Sequence, residues 1–141
     1  MDLDGLGPIS LRNFGNHLGQ HPVSYAALRQ VQRVQERMGG CVTLQFGDGP
    51  SGLAGEVGKA IDGSMEMDLY MLNRANLSAE GAASTFIHES SHYMRGARGF
   101  EIGTQVEEYM AFRREKLFEL GRRPSFDERK AIWTDKILND P

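Results

Sequence analysis

Five consecutive residues, His88-Glu89-Ser90-Ser91-His92, carry two imidazoles four positions apart with a carboxylate beside the first. On an α-helix, residues i and i+4 sit one turn apart on the same face. Both histidines can then offer a ring nitrogen to one zinc ion at about 2.0–2.1 Å. Glu89 lies roughly 100° round such a helix from His88. It can reach a water on the metal without being a ligand itself. Zinc lowers the pKa of that water towards neutrality, and the Glu89 carboxylate accepts its proton as general base.

A catalytic zinc site takes three protein ligands and keeps one position open. Cys41 and Asp68 are ligand types, but a downstream glutamate is the better candidate. Fifteen residues separate His92 from Glu108, enough to turn the chain and bring a second helix beside the first. Glu107 and Glu108 both open that helix. Thr104-Gln105-Val106-Glu107 reads as a capping box, which gives Glu107 another task. Glu108-Tyr109-Met110-Ala111 places a small residue one turn later, where two helices can approach closely. The helical wheel points weakly the other way, because an apolar stripe of Val106, Met110 and Leu117 runs nearer Glu107. Glu108 is chosen as third ligand, with Glu107 the alternative.

These residues need a helix, and residues 79–95 supply one. Ser78 is its N-cap, Glu80 charges its first turn and Gly96 follows its end. Thr104 opens a helix to Leu120, with Gly121 after it. Ser125-Phe126-Asp127-Glu128 is a second capping box, opening a last helix to about Leu138. Upstream, residues 9–19 form a weak helix. Residues 23–38 form a better one, with Ala27, Leu28, Val31 and Val34 on one side and Gly39-Gly40 closing it. Residues 41–47 alternate as a strand that ends at Gly47-Asp48-Gly49-Pro50. Residues 64–71 alternate Met65, Met67, Leu69 and Met71 with polar positions, and Asp62-Gly63 marks a turn before them. A short strand is expected near Glu56–Ile61.

The expected fold is α+β, with helices packed on a small antiparallel sheet. Its parts are a helical region over 1–40, the sheet over 41–75, and the metal-binding and C-terminal helices over 76–141. The metal should lie between helices 79–95 and 104–120. The strand 64–71 is expected near the cleft, with an exposed edge for an extended peptide.

Other residues read more plainly. His17 and His21 are also four apart, but Gly19 and Pro22 spoil the helix a second metal site would need, so a turn role is favoured. Tyr93 and Tyr109 are candidate oxyanion donors, weighed against core or rim packing. Arg95 and Arg98 either bind a substrate carboxylate or solvate the glycine-rich loop. Met65, Met67, Met71, Met94 and Met110 read as core filler, and Cys41 as a small buried hydrophobe. Arg113-Arg114 and Arg122-Arg123 alternate with Glu115 and Glu119, which suits a solvated helix face.

The whole chain agrees with a single enzyme-sized domain: 141 residues, 40% hydrophobic and 25% charged. Net charge is −3, so the strongly basic footprint of a nucleic-acid binder is missing. One cysteine rules out an internal disulfide and a cysteine-rich zinc cluster. No apolar run is long enough for membrane insertion. The acidic, glycine-rich Met1–Gly7 lacks the basic-then-apolar pattern of a signal peptide.

His88-Glu89-Ser90-Ser91-His92 with a later E-x-x-A resembles the gluzincin clan of zinc metallopeptidases in minimal form. HESSHYMRG together with EEYMAFRREKLFELGRRPSFDERKAIW looks closer still to the C-terminal metallopeptidase domains of bacterial polymorphic toxins. These tip Rhs-type, contact-dependent or secretion-system effectors. The resemblance spans roughly residues 60–138. It implies an endopeptidase with a protein or peptide substrate and a cognate immunity protein. It also implies delivery as part of a larger effector, with action in the target-cell cytoplasm. Gluzincins often carry Asp or Asn after E-x-x-A, where this chain has Phe112, which leaves the surroundings of the ligands open. Two other functions stay in view: a stand-alone housekeeping or phage-encoded peptidase, and a non-catalytic zinc-binding module.

Overall fold

The structure is a computed structural model and describes residues 11–46 and 52–138. Ile9 and Ser10 of the expected first helix, and the Gly47–Pro50 turn, lie outside the described residues.

Helix α1, Leu11–Leu18, leads into α2, Pro22–Met38. Pro22 sits in the first turn of α2, where its missing N–H costs nothing. The His21 side chain accepts the Val23 N–H at 3.2 Å and so caps the helix. Ala27, Val31 and Val34 of α2 are buried as the periodicity requires. Strands β1, Cys41–Gln45, β2, Gly55–Lys59, and β3, Met65–Tyr70, follow. Gly63, at φ 89°, takes the left-handed turn that joins β2 to β3.

The sheet is mixed rather than antiparallel. Its order is β1-β3-β2, with β2 antiparallel and β1 parallel to β3. Alternation fixes which face of a strand is buried but not which neighbour it pairs with. β3 is accordingly the central strand, bonded on both sides, and the expected free edge at 64–71 is corrected. The edge strand on the side of the cleft is β2.

After a 3-10 turn at Arg74–Asn76, α3 runs over Ala79–Ala97, with Ser78 capping the Gly81 N–H at 3.0 Å. Helix α3 is the hub. One side packs Phe86, Ile87 and Tyr93 against Met65, Met67, Leu69 and Met71, with α2 beside them in one continuous core. Burying Phe86 alone stabilises the fold by roughly 1.5–3 kcal/mol. Gly96 lets α3 settle on β3, since a Cβ there would meet Met65 Cε at 2.4 Å. The other side of α3 faces α4, Gln105–Leu120.

Helix α4 does not bury the apolar stripe its sequence suggests. Val106 is 65% exposed and Met110 37%, while Glu107, Ala111 and Phe118 are buried. Its inward face is acidic because it meets two histidines. Helix α5, Phe126–Ile132, starts with a complete capping box at Ser125 and Glu128, then widens into a π-helical turn at Trp133–Leu138. No helix among the described residues is long and apolar enough to cross a membrane.

Candidate metal centre

His88 and His92 point from α3 towards the start of α4. Their Nε2 atoms lie 3.2 Å apart. Glu108 Oε1 comes 2.5 Å from His92 Nε2 and 3.6 Å from His88 Nε2. Glu89, itself 8% exposed, brings a carboxylate oxygen within 4.8 Å of a ring nitrogen of both histidines. His88, Glu89 and His92 thus form a buried group able to hold a metal ion.

Glu108 adds a third donor atom beside the two imidazoles. A tetrahedral ion with ligands at about 2.0–2.1 Å needs donor atoms roughly 3.3 Å apart. Two of the three separations are close to that. The third asks Glu108, whose side chain is 34% exposed, to withdraw by under about 1 Å.

The two adjacent glutamates take different places. Glu107 lies behind His92, its Oε1 2.5 Å from Nδ1. That oxygen also accepts the Gly103 N–H at 3.0 Å, and Oε2 accepts from Arg95 at 2.8 Å. Thr104 does cap the Glu107 N–H at 3.2 Å, but the Glu107 carboxylate turns inward to these partners. The expected capping box is therefore half made. A ligating histidine commonly gives its second N–H to such a carboxylate, which fixes ring and tautomer. Behind His88 the corresponding group is Glu115, 3.1 Å from Nδ1 but not aligned as a hydrogen bond. Phe112 packs edge-on against the His88 ring at 4.4 Å.

The electrostatics follow from this crowding. Burial pulls the His88 imidazole down, but Glu108 and Glu115 outweigh it and carry its pKa up to about 10. His92 is raised in the same way, burial being outweighed chiefly by Glu108. His88, and next His92, hold the Glu108 carboxyl well below the usual carboxylate range. Burial pushes Glu89 up, against the pull of both imidazoles. A divalent cation can take over the part those imidazole protons play, because metal binding displaces protons from its ligands.

The group lies in a cleft of about 710 Å³. Leu53–Val57 wall one side, and Ile102, Gly103, Phe112 and Glu115 lie along the other. Gly55 is where β2 meets the centre. A Cβ there would sit 2.9 Å from Glu89 Cγ and 3.1 Å from the Asp68 carbonyl oxygen. Asn76 holds this wall in place: its Nδ2 donates to Ala54 O at 2.7 Å and Tyr70 O at 2.9 Å. Its Oδ1 accepts from Thr85 Oγ1 at 2.6 Å, one turn before His88.

Tyr93 is fully buried in the core beneath α3 and Tyr109 packs edge-on against Trp133 at 5.7 Å, so both take the packing role and neither lines the cleft. Other expectations are corrected. Arg95 serves Glu107 and Ser91 rather than a substrate or the loop. Cys41 is exposed, not buried. Asp68 bonds Gln45 at 3.0 Å, and neither it nor Cys41 reaches the histidines. Met110 is exposed, whereas Met65, Met67 and Met71 are core. His21 packs edge-on against Phe118 at 4.6 Å besides capping α2, so the turn role holds. Sequence reasoning missed Glu115, Gly55 and Asn76. Only Glu115 left a signal, standing two turns beyond Glu108 on one face of α4.

No protein-family model, curated protein or solved structure matches the chain.

Proposed function

We propose that the chain is a zinc-dependent endopeptidase. The observation that carries this reading is the convergence of His88 Nε2, His92 Nε2 and Glu108 Oε1, with Glu89 beside them in an open cleft. His88, His92 and Glu108 hold the metal. When bound, zinc acidifies a water and polarises the scissile carbonyl. Glu89 takes the proton of the attacking water and passes it to the departing amine. Its raised pKa suits a group that must accept a proton and give it up again. The substrate lies extended along the free edge of β2, whose backbone groups pair with it as an added strand. The cleft lining carries Glu56, Glu115 and Glu119 and no Lys or Arg among the described residues, which suits a peptide with cationic side chains.

In biological terms the same reading makes this a C-terminal toxin domain of a bacterial effector. It cleaves a protein in the target-cell cytoplasm and is held in check by an immunity protein. The resemblance read from HESSHYMRG and the segment that follows Glu107 motivates this reading. The test is metal-dependent cleavage. Zinc-loaded protein should hydrolyse a quenched peptide library, lose the activity to a chelator and regain it with zinc. Expression in a bacterial cytoplasm should arrest growth and create new protein N-termini. Healthy cells alongside active peptidase would overturn the toxin reading alone.

A further inference from the structure

We infer that Arg95 is a positioning residue for the metal centre, acting through Glu107. The inference rests on the metal-site reading above. Arg95 Nη1 donates to Glu107 Oε2 at 2.8 Å and to Ser91 Oγ at 2.7 Å. Ser91, His92 and Arg95 share α3, with Ser91 one turn before Arg95, so the guanidinium is braced against its own helix. Glu107 is 5% exposed, so the direction of its carboxylate is set by its few partners. By occupying Oε2, Arg95 leaves Oε1 to His92 Nδ1 and the Gly103 N–H. A carboxylate held at Nδ1 fixes the orientation of the ring and aims Nε2 at the cleft. The same contact ties the 98–104 loop, through Gly103, to the helix bearing the histidines.

Lysine keeps the charge but replaces the planar guanidinium, whose Nη1 serves both Ser91 and Glu107, with an ammonium on a different stem. The experiment compares wild type, Arg95→Lys, Arg95→Met, Glu107→Gln and the double variant Arg95→Met/Glu107→Gln. Zinc affinity is measured by competition with a chromophoric chelator. The visible spectrum of the cobalt(II) form reports ligand geometry, and the melting temperature of metal-free protein reports folding. Arg95→Met should weaken zinc by about tenfold, at the low end of the range for groups behind a ligand. It should also shift the cobalt bands. Arg95→Lys should restore much of the affinity. In the Glu107→Gln background, Arg95→Met should cost nothing further, since the two act in series. Equal zinc affinity in wild type and both arginine variants would overturn the inference. So would a lower melting temperature with unchanged affinity, which marks Arg95 as structural only. If Arg95→Met does not fold, Arg95→Gln takes its place, with the same supporting and overturning results. A wild type that binds no zinc refutes the metal site itself, a separate result.

Discussion

Glu107 and Glu108 are neighbours in the chain, yet they grip opposite nitrogens of one imidazole. Glu107 meets His92 Nδ1 and Glu108 meets His92 Nε2, each at 2.5 Å. Adjacent positions on a helix point roughly 100° apart, and the His92 ring sits between the two directions. One carboxylate therefore faces the cleft and the other the interior.

This geometry separates the two glutamates by experiment. Glu108→Ala should leave clearly sub-stoichiometric zinc after gel filtration. Glu107→Ala should still fill with zinc at saturation but bind it roughly 10–100-fold more weakly. Metal content by mass spectrometry and a competition titration check both. The reverse pattern would make Glu107 the ligand.

Asn76 should matter for stability rather than chemistry. Asn76→Ala removes three hydrogen bonds of a fully buried side chain, although the Ala54 and Tyr70 carbonyls and the Thr85 hydroxyl each keep a second partner. The expected loss is about 2–4 kcal/mol, read by urea denaturation. Asn73, half-buried, caps the short 3-10 turn and donates to Leu53 O at 3.0 Å, and should lose under about 1.5 kcal/mol on the same change.

Gly55→Ala tests the wall beside Glu89. The added methyl presses on Glu89 Cγ, the Asp68 carbonyl and Leu69 Cδ2. Zinc should be retained while peptide hydrolysis falls by about tenfold or more, since small misplacement of a reacting group is costly. Unchanged hydrolysis would place the Glu89 carboxylate beyond the influence of β2.

Much of the frame was legible in the residues. Caps at Ser78, Thr104 and Ser125 marked three helix starts, because polar side chains there satisfy N–H groups that nothing else reaches. The alternation around Met65–Met71 marked a core strand. The histidine pair needed only helical spacing. What stayed hidden was partnership across space. The parallel pairing of β1 leaves no trace in its own alternation. The inward face of α4 reads as solvated because carboxylates that face histidines look like carboxylates that face water. Asn76 reads as a loop residue, since its partners lie 6 to 22 positions away.

Acid should loosen α5 in a defined window. Arg122, then the Ser125 backbone and hydroxyl, hold the Glu128 carboxyl down at about 2, against an ordinary 4.5. A lowered folded pKa contributes stability that is complete above the ordinary value and is lost as pH falls towards the folded one. Amide exchange in α5 should therefore speed up between about pH 4.5 and 2. Glu128→Gln should show faster exchange already at neutral pH and a weaker dependence across that window.

The most direct test compares zinc-loaded wild type with zinc-loaded Glu89→Gln on the same peptide library, with metal content measured in the same samples. Glutamine keeps the shape and both histidines but cannot accept the water's proton. The account predicts equal zinc, equal melting temperature and hydrolysis lower by about 10²–10⁴-fold. A Glu89→Gln protein that holds zinc and cleaves as fast as wild type would contradict it.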